Sequence, residues 1–260
     1  MKIFKSWLSY SVFEEAVRKK NRFIHDSAIK DFLKTVLETG KSRVEEVKKG
    51  NILWRSQLGH DWEEPHNEGG QYVGRIPSPL FHKKMKPPKD SACEGRANPK
   101  GIPYLYLSTD KNTSMAEVRP WIASYISVGR FKLLRDVRLI NCTINNRRKP
   151  FIYFKEPPPQ EREIAVWGDI DEAFSRPVTP NDSIADYVPT QILAELFKNN
   201  GFDGIAYRSS LGKGHNIVLF DLNAADLIKC ALHQAKEISF SFSQVSNPYF
   251  VRKYYKKNNV

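Results

Sequence analysis

An arginine, an aromatic strand and a carboxylate follow one another in the middle of the chain, and each can contribute to binding a ring-bearing anion. Arg96 lies in a turn rich in Gly, Asn and Pro (residues 95–101), Tyr106 follows on a predicted strand, and Glu117 on a short predicted helix. A guanidinium in such a turn presents its planar fork to a phosphate. The strand that follows carries aromatic rings, which can form one wall of a site. With the carboxylate on the helix directly after that strand, these residues make a compact site for an anionic ligand with a ring.

Other motifs carry weaker signals. HDWEEPH places His60 and His66 around three acidic residues, which would suit a metal, but no second ligand pair follows and a solvated loop is the default. Each cysteine lacks the local signature of a nucleophile, and the G-x-S-x-G motif is absent. The segment 212–214 (GKG) lacks the spacing of a phosphate-binding P-loop. We therefore predict no metal site.

Composition fits a globular protein with a basic surface. The 260 residues include 41 Lys and Arg against 29 Asp and Glu, a net charge of +12. A polyanion, a phosphate-bearing substrate or an acidic protein would each suit that charge, and so would a merely Lys-rich surface. No apolar run approaches the ~18 residues of a membrane span, and the N-terminus is too charged for a secretory signal. Three scattered cysteines indicate a reducing compartment, so we expect a cytoplasmic protein without membrane contact.

The first fifty residues are predicted to form helices. Apolar side chains at helical spacing, with Gly40 as the stop, indicate one amphipathic helix. Ser42 and Glu45 have the spacing of a capping box, which predicts a second short helix that ends near Gly50. The stripe consists of Ile29, Phe32, Leu33, Val36 and Leu37.

Strands predominate after Gly50. They are predicted at residues 52–55, 104–107, 125–134, 137–144, 205–209 and 216–220. Helices are predicted at 113–118 and 187–199, a long loop at 60–100, and a rigid exposed connection at 155–162 (KEPPPQER). Because strands and helices do not alternate regularly, an α+β fold is favoured over a doubly wound one.

Three segments in order resemble the RES domain family. They are LWRSQLG (residues 53–59), GRANPKGIPYLYLSTDKNTSMAEVRPW (95–121) and DYVPTQILAELFKNNGFDGIAYRSSLGKGHNIVLFD (186–221). The ordered combination is specific, whereas no single piece is. The resemblance divides the chain into an N-terminal helical segment (1–50), a RES domain (51–235) and a basic aromatic tail (236–260).

The resemblance implies an ADP-ribosyltransferase-like fold, a mixed and mostly antiparallel β core with flanking helices. RES domains include toxins that destroy NAD⁺, some by phosphorolysis, and members that transfer ADP-ribose to a protein. They are commonly paired with a helix-turn-helix antitoxin. The resemblance therefore implies a bacterial toxin or phage-defence enzyme that uses NAD⁺ as substrate and needs no cofactor.

The family's functional positions can be carried over residue by residue. Its arginines fall on Arg55 and Arg96, its tyrosine on Tyr106 and its glutamate on Glu117. Its serine falls on Ser209 or on the adjacent Ser210. By implication, Glu117, Arg96 and Ser209 are catalytic, and Arg55, Arg96, Tyr106 and Ser209 bind NAD⁺. Many members have Trp after the turn arginine, where this chain has Ala97.

Three functions are carried forward from the sequence. The first is an NAD⁺ phosphorylase or glycohydrolase, and the second is an ADP-ribosyltransferase that modifies a protein or nucleic acid. The third is a non-catalytic module that binds nucleic acid through basic residues and the tyrosines of the tail. Its residues would be Lys83, Lys84, Lys86, Arg252, Lys253, Tyr254, Tyr255, Lys256 and Lys257. A homo-oligomer is left open.

Overall fold

The computed structural model describes residues 3–88, 92–144, 153–176 and 184–247. Five α-helices and ten strands lie in this part of the chain. The helices are α1 (Ser9–Lys19), α2 (Ser27–Gly40), α3 (Lys111–Glu117), α4 (Pro159–Ser175) and α5 (Val188–Asn199). The strands are β1 (Val44–Val47), β2 (Ile52–Leu58), β3 (Asp61–Glu63), β4 (Ile76–Ser78), β5 (Leu105–Ser108), β6 (Tyr125–Leu133), β7 (Val137–Asn141), β8 (Gly204–Arg208), β9 (His215–Leu219) and β10 (Ala225–Gln234). The expected α+β class is confirmed.

Eight strands form one sheet in the order β1-β7-β8-β9-β5-β2-β6-β10, and β3 and β4 form a separate hairpin. All neighbours in the large sheet are antiparallel except β7 and β8, which are parallel. The centre of the sheet brings β9, β5 and β2 side by side, although they come from distant parts of the sequence. Functional side chains at the ends of these strands therefore become neighbours.

Helices α1, α2, α4 and α5 cover one face of the sheet. The stripe predicted on α2 is confirmed, because Ile29, Phe32 and Val36 are buried in a core that also contains Trp167 of α4 and Phe197 of α5. The helix ends at Gly40 as expected. A second core on the other side of the sheet is built from aliphatic residues of its strands and from Met85. The N-terminal helices thus share their apolar core with the matched region.

Three local expectations are wrong. The capping-box pair Ser42 and Glu45 does not begin a helix, because a single 3-10 turn leads into edge strand β1, which pairs with β7. The connection at 155–162 instead contains the start of α4, with Pro159 at its first position. Proline suits this position because the first N–H groups of a helix have no hydrogen-bond partner within the helix. The loop at 60–100 contains the short hairpin β3–β4.

Edge strand β10 pairs along its length with β6 and was not expected. Within the described ranges, no helix has the length and apolarity that crossing a bilayer would require.

Candidate active site

A cavity of about 760 Å³ opens where β2, β5 and β9 meet α3. Arg55, Arg96, Tyr106 and Glu117 all line it, so the side chains singled out in the sequence share one hollow. Its volume lies within the 300–1,000 Å³ typical of ligand sites. The remaining lining comes mainly from residues of β2, α3 and the neighbouring strands. These are Trp54, Ser56, Gln57, Leu58, Leu107, Ser108, Ser114, Val118, Tyr207 and Asn216.

Arg55 projects from the middle of β2 into this cavity. One of its terminal nitrogens donates to the carbonyl oxygen of Tyr106 at 2.9 Å, and its Nε is buried without a hydrogen-bond partner among the described residues. Burial lowers the pKa of Arg55 to about 10, so the group keeps its charge at neutral pH. A buried cation that retains an unused donor is suited to an anionic ligand.

Side chains of helix α5 hold the turn that carries Arg96 through hydrogen bonds to its backbone carbonyls. Thr190 donates to the carbonyl oxygen of Arg96 at 2.5 Å, and Gln191 donates to the carbonyls of Gly95 and Asn98. The turn itself is closed by a bond from the N–H of Gly95 to the carbonyl of Asn98. The Arg96 guanidinium donates to Ala173 at the end of α4, so its orientation is set by two helices.

Tyr106 joins the same turn to strand β5. Its hydroxyl donates to Asn98 Oδ1 at 2.7 Å and accepts from the N–H of Ala97 at 3.0 Å. Burial raises the pKa of Tyr106 well above its usual range, so the phenol stays neutral. A Cβ on Gly95 would lie 2.7 Å from the Tyr106 oxygen, which explains the glycine. Both hydrogen bonds of the hydroxyl are therefore made to residues of the turn, and the ring lines the cavity.

Ala97 follows Arg96 at the position where the resemblance noted in the sequence leads us to expect tryptophan. Its side chain is fully buried in the main core. The aromatic contact expected of a tryptophan at this place is therefore missing here, and Ala97 serves the site through its backbone N–H to Tyr106.

Glu117 ends helix α3 at the rim of the cavity. Ser209 donates to its Oε1 at 2.7 Å, and Asn216 donates to the same oxygen at 2.6 Å. Asn216 is in turn held by the hydroxyl of Ser108, at 2.8 Å. Glu117 is solvent-exposed on its open side. Within the described residues its Oε2 accepts no hydrogen bond, and it remains available to a ligand hydroxyl.

The two neighbouring serines have different partners. Ser209 bonds Glu117, whereas Ser210 donates to the carbonyl oxygen of Ser175 at 2.6 Å. Arg208, at the end of β8, is fixed to the fully buried Asp171 of α4 through both its backbone N–H and its side chain. This anchor places Ser209 beside Glu117.

Several residues of the site were not identified from the sequence. Asn216, itself held by Ser108, donates to the carboxylate, Thr190 and Gln191 hold the arginine turn, and Tyr207 lines the cavity. Small polar residues on strands and helices are common, so their types alone give no signal. The roles of Ser108 and Asn216 become recognisable only when the strand pairing places these two residues opposite each other.

The other candidate motifs lie elsewhere. His60 packs against the rings of Trp62 and Tyr125, and Asp61 bonds Lys84. No metal-ligating cluster occurs in the described part of the chain.

Of the basic residues proposed for nucleic acid, Lys84 and Lys86 form ion pairs with Asp61 and Asp226. The tail residues 252–257 lie outside the described ranges.

Comparisons with known proteins show the family of the chain. The family profile described as the RES domain matches residues 53–243. Among solved structures, a chain of the "Crystal structure of the M.tuberculosis MbcT-MbcA toxin-antitoxin complex" is similar. Its TM-score is 0.41 at 15% identity, over 76% of this chain and 92% of that one. No curated protein is significantly similar in sequence.

Proposed function

Because the chain belongs to the RES domain family, we propose that it is an NAD⁺-consuming enzyme. It would break the bond between nicotinamide and ribose and pass ADP-ribose to phosphate or water. The observation that carries this proposal is the convergence of Arg55, Arg96, Tyr106 and Glu117 on one cavity of dinucleotide size. NAD⁺ serves as substrate, and the reaction needs no resident cofactor.

The two arginines would bind the anionic part of NAD⁺. The pyrophosphate carries two negative charges, and guanidinium groups bind such oxyanions through short, charge-assisted hydrogen bonds. Arg55 offers its unused Nε from the floor of the cavity, and Arg96 is held in place from two helices. The ring of Tyr106 would lie against the cationic nicotinamide.

Glu117 would act where the bond breaks. As nicotinamide leaves with the bonding electron pair, positive charge develops on the ribose, and a nearby carboxylate stabilises it. Ser209 and Asn216 occupy Oε1, so Oε2 faces the substrate and can accept a hydrogen bond from a ribose hydroxyl. Ser209 positions the carboxylate and is not a nucleophile, because its hydroxyl donates to an acid and has no base beside it.

Analysis of the reaction products tests this proposal and separates it from its rivals. The protein is incubated with NAD⁺, and free nicotinamide and the ADP-ribose product are followed by chromatography. Nicotinamide release by the protein alone supports the proposal. Release only after a protein or nucleic acid is added would assign the transferase function instead. Absence of release, with salt-sensitive binding to single-stranded nucleic acid, would assign the non-catalytic module.

At the level of the cell, we propose that NAD⁺ loss arrests growth, as in a toxin–antitoxin pair or a defence against phage. Expression of the chain is then expected to stop growth, and Arg96→Ala is expected to restore it while the variant still folds. A helix-turn-helix antitoxin is the expected partner. Growth arrest that persists in a folded Arg96→Ala variant would contradict the link between chemistry and toxicity.

A further inference from the structure

A hydrogen bond joins the loop between β8 and β9 (residues 209–214) to helix α3. The backbone N–H of Gly214 donates to the hydroxyl of Thr113 at 3.0 Å. Thr113 lies one helical turn before Glu117, and Ser209 of the same loop donates to that carboxylate. The loop is therefore tied to the helix at two points, once at the threonine hydroxyl and once at the carboxylate.

The hydroxyl of Thr113 is buried and has a fixed direction. The residue is 1% exposed, and its hydroxyl donates to Oδ2 of Asp110 at 2.9 Å. Asp110 is the N-cap of α3 and also accepts from the backbone N–H of Thr113. A hydroxyl has one proton, and Asp110 accepts it. The oxygen of Thr113 is therefore left to accept the hydrogen bond from the loop.

Two glycines let the loop approach α3 this closely. A Cβ on Gly212 would lie 2.9 Å from the Cα of Thr113, and one on Gly214 would lie 2.8 Å from the Cβ of Asp110. A side chain at either position would push the loop away from the helix. The Gly-Lys-Gly segment, which lacks the spacing of a P-loop, thus has its glycines where the backbone packs on α3.

The other end of the loop is fixed as well, at Arg208, which is bound to Asp171 of α4. Between the two anchors, the hydroxyl of Ser209 accepts from the N–H of Leu211 at 3.0 Å and donates to Glu117 at 2.7 Å. Because both ends of the loop are held, the direction of this donor depends on the anchors.

We propose that Thr113 is a positioning residue of the active site, whose hydroxyl holds the loop on α3 and thereby keeps Ser209 on the carboxylate of Glu117. The inference rests on the proposed function and adds a residue to it. Thr113 does not line the cavity, so its effect on the reaction passes through the loop.

Kinetics of nicotinamide release by Thr113→Val and Thr113→Ser test the proposal. Valine keeps the branched shape and the backbone N–H that Asp110 caps, but it cannot accept from Gly214. We expect kcat to fall by about tenfold and the KM for NAD⁺ to change little, because the carboxylate loses orientation while the arginines stay in place. Serine keeps the hydroxyl, so Thr113→Ser should retain a kcat near that of the wild-type protein.

A double variant separates positioning from general loss of structure. If Thr113 acts through Ser209, then Thr113→Val should lower kcat little further once Ser209→Ala has removed the donor. If Thr113 merely stabilised the fold, the two losses would multiply.

Thr35→Val is the matched control. Thr35 is a 5% exposed threonine of helix α2, and its hydroxyl donates to the carbonyl oxygen of Asp31 at 2.8 Å. Its replacement also removes a buried hydroxyl from a helix, but it should leave kcat at the wild-type level. Urea unfolding of each variant verifies that it is folded. If Thr113→Val does not fold, Thr113→Ala replaces it in the comparison with Thr113→Ser.

Three results would overturn the proposal while leaving the proposed function intact. One is a wild-type kcat in a folded Thr113→Val variant. Another is a full further loss when that change is combined with Ser209→Ala. The third is a raised KM for NAD⁺ at unchanged kcat, which would assign Thr113 to substrate binding.

Absence of nicotinamide release by the wild-type protein would contradict the proposed function instead. Hydrogen exchange then decides the role of Thr113 separately, through the backbone N–H of Leu211 that is bound to Ser209. Exchange that becomes several-fold faster in Thr113→Val but not in Thr35→Val supports the proposal. An unchanged exchange rate in Thr113→Val refutes it.

Discussion

Ser209 and Asn216 donate hydrogen bonds to the same oxygen of Glu117, from opposite sides of the loop between β8 and β9. The distances are 2.7 and 2.6 Å. Because both donors use Oε1, the carboxylate is oriented with Oε2 towards the cavity. A short helix end is a poorly constrained place for a reactive group, and these two bonds supply the constraint.

Replacement of Asn216 by alanine is expected to lower kcat by about tenfold or more, with a small change in the KM for NAD⁺. Asn216 is 8% exposed, and its amide orients the acid by donating to Oε1 of Glu117. Nicotinamide release is the measurement, and Asn223→Ala, at an exposed position, is the control.

The isosteric variant Asn216→Asp adds a readout that a purely structural role would not give. A second carboxylate beside Glu117 disfavours its ionised form, so the acidic limb of the pH–rate profile should move to higher pH. A wild-type profile with full kcat in both variants would show that Asn216 does not position the acid.

Replacement of Tyr106 by phenylalanine is expected to destabilise the fold by about 1 kcal/mol and to raise the KM for NAD⁺ several-fold. The loss of the hydroxyl removes the bonds to Asn98 and Ala97 that hold the Arg96 turn. Urea unfolding and nicotinamide release measure the two effects.

Tyr104→Phe is the matched control for that variant. The Tyr104 hydroxyl is buried without a hydrogen-bond partner in the described residues, so its removal should be neutral or slightly stabilising. Equal losses of stability in the two variants would contradict the assignment of the turn's stability to Tyr106.

Arg55→Met is expected to abolish saturation by NAD⁺ and yet to stabilise the folded protein by about 1 kcal/mol. The guanidinium is buried with an unused Nε, and its pKa is lowered to about 10 because burial disfavours the charge. Methionine has a similar length and incurs no such cost. Urea unfolding with binding of NAD⁺ measures both effects, and a less stable variant that still saturates would refute this account.

Phe13→Ala is expected to destabilise the protein by about 3–5 kcal/mol. Phe13 of α1 is fully buried and its ring stacks on that of Phe32 at 4.7 Å, within the core that the RES region shares. Phe23→Ala, at a position 88% exposed, should change stability by less than about 0.5 kcal/mol. A Phe13→Ala variant as stable as the wild-type protein would indicate that the N-terminal helices fold independently of the sheet.

The sequence predicted the elements whose hydrophobic pattern is strong. The stripe of α2 and the strands around Leu105 and Ile217 were identified because burial imposes a period on their side chains. Helix α4 was missed because its prolines and charges resemble a linker, although Pro159 suits a helix start. Edge strand β10 has a mixed burial pattern, which conceals its period.

The site was predicted in part for a similar reason. Arg96, Tyr106 and Glu117 have side chains whose chemistry suggests a ligand, and the family resemblance added Arg55 and Ser209. Asn216 carries no such signal, because its role arises only when β9 pairs with β5 and Ser108 comes within 2.8 Å of it.

Nicotinamide release by Glu117→Gln tests the central claim most directly. The amide keeps the size of the side chain but lacks the negative charge that stabilises the ribose as the bond breaks. With NAD⁺ saturating, kcat is expected to fall by about 10²–10³, while Glu68→Gln, in an exposed loop, keeps the wild-type rate. Release at the wild-type rate by a folded Glu117→Gln variant would contradict the account.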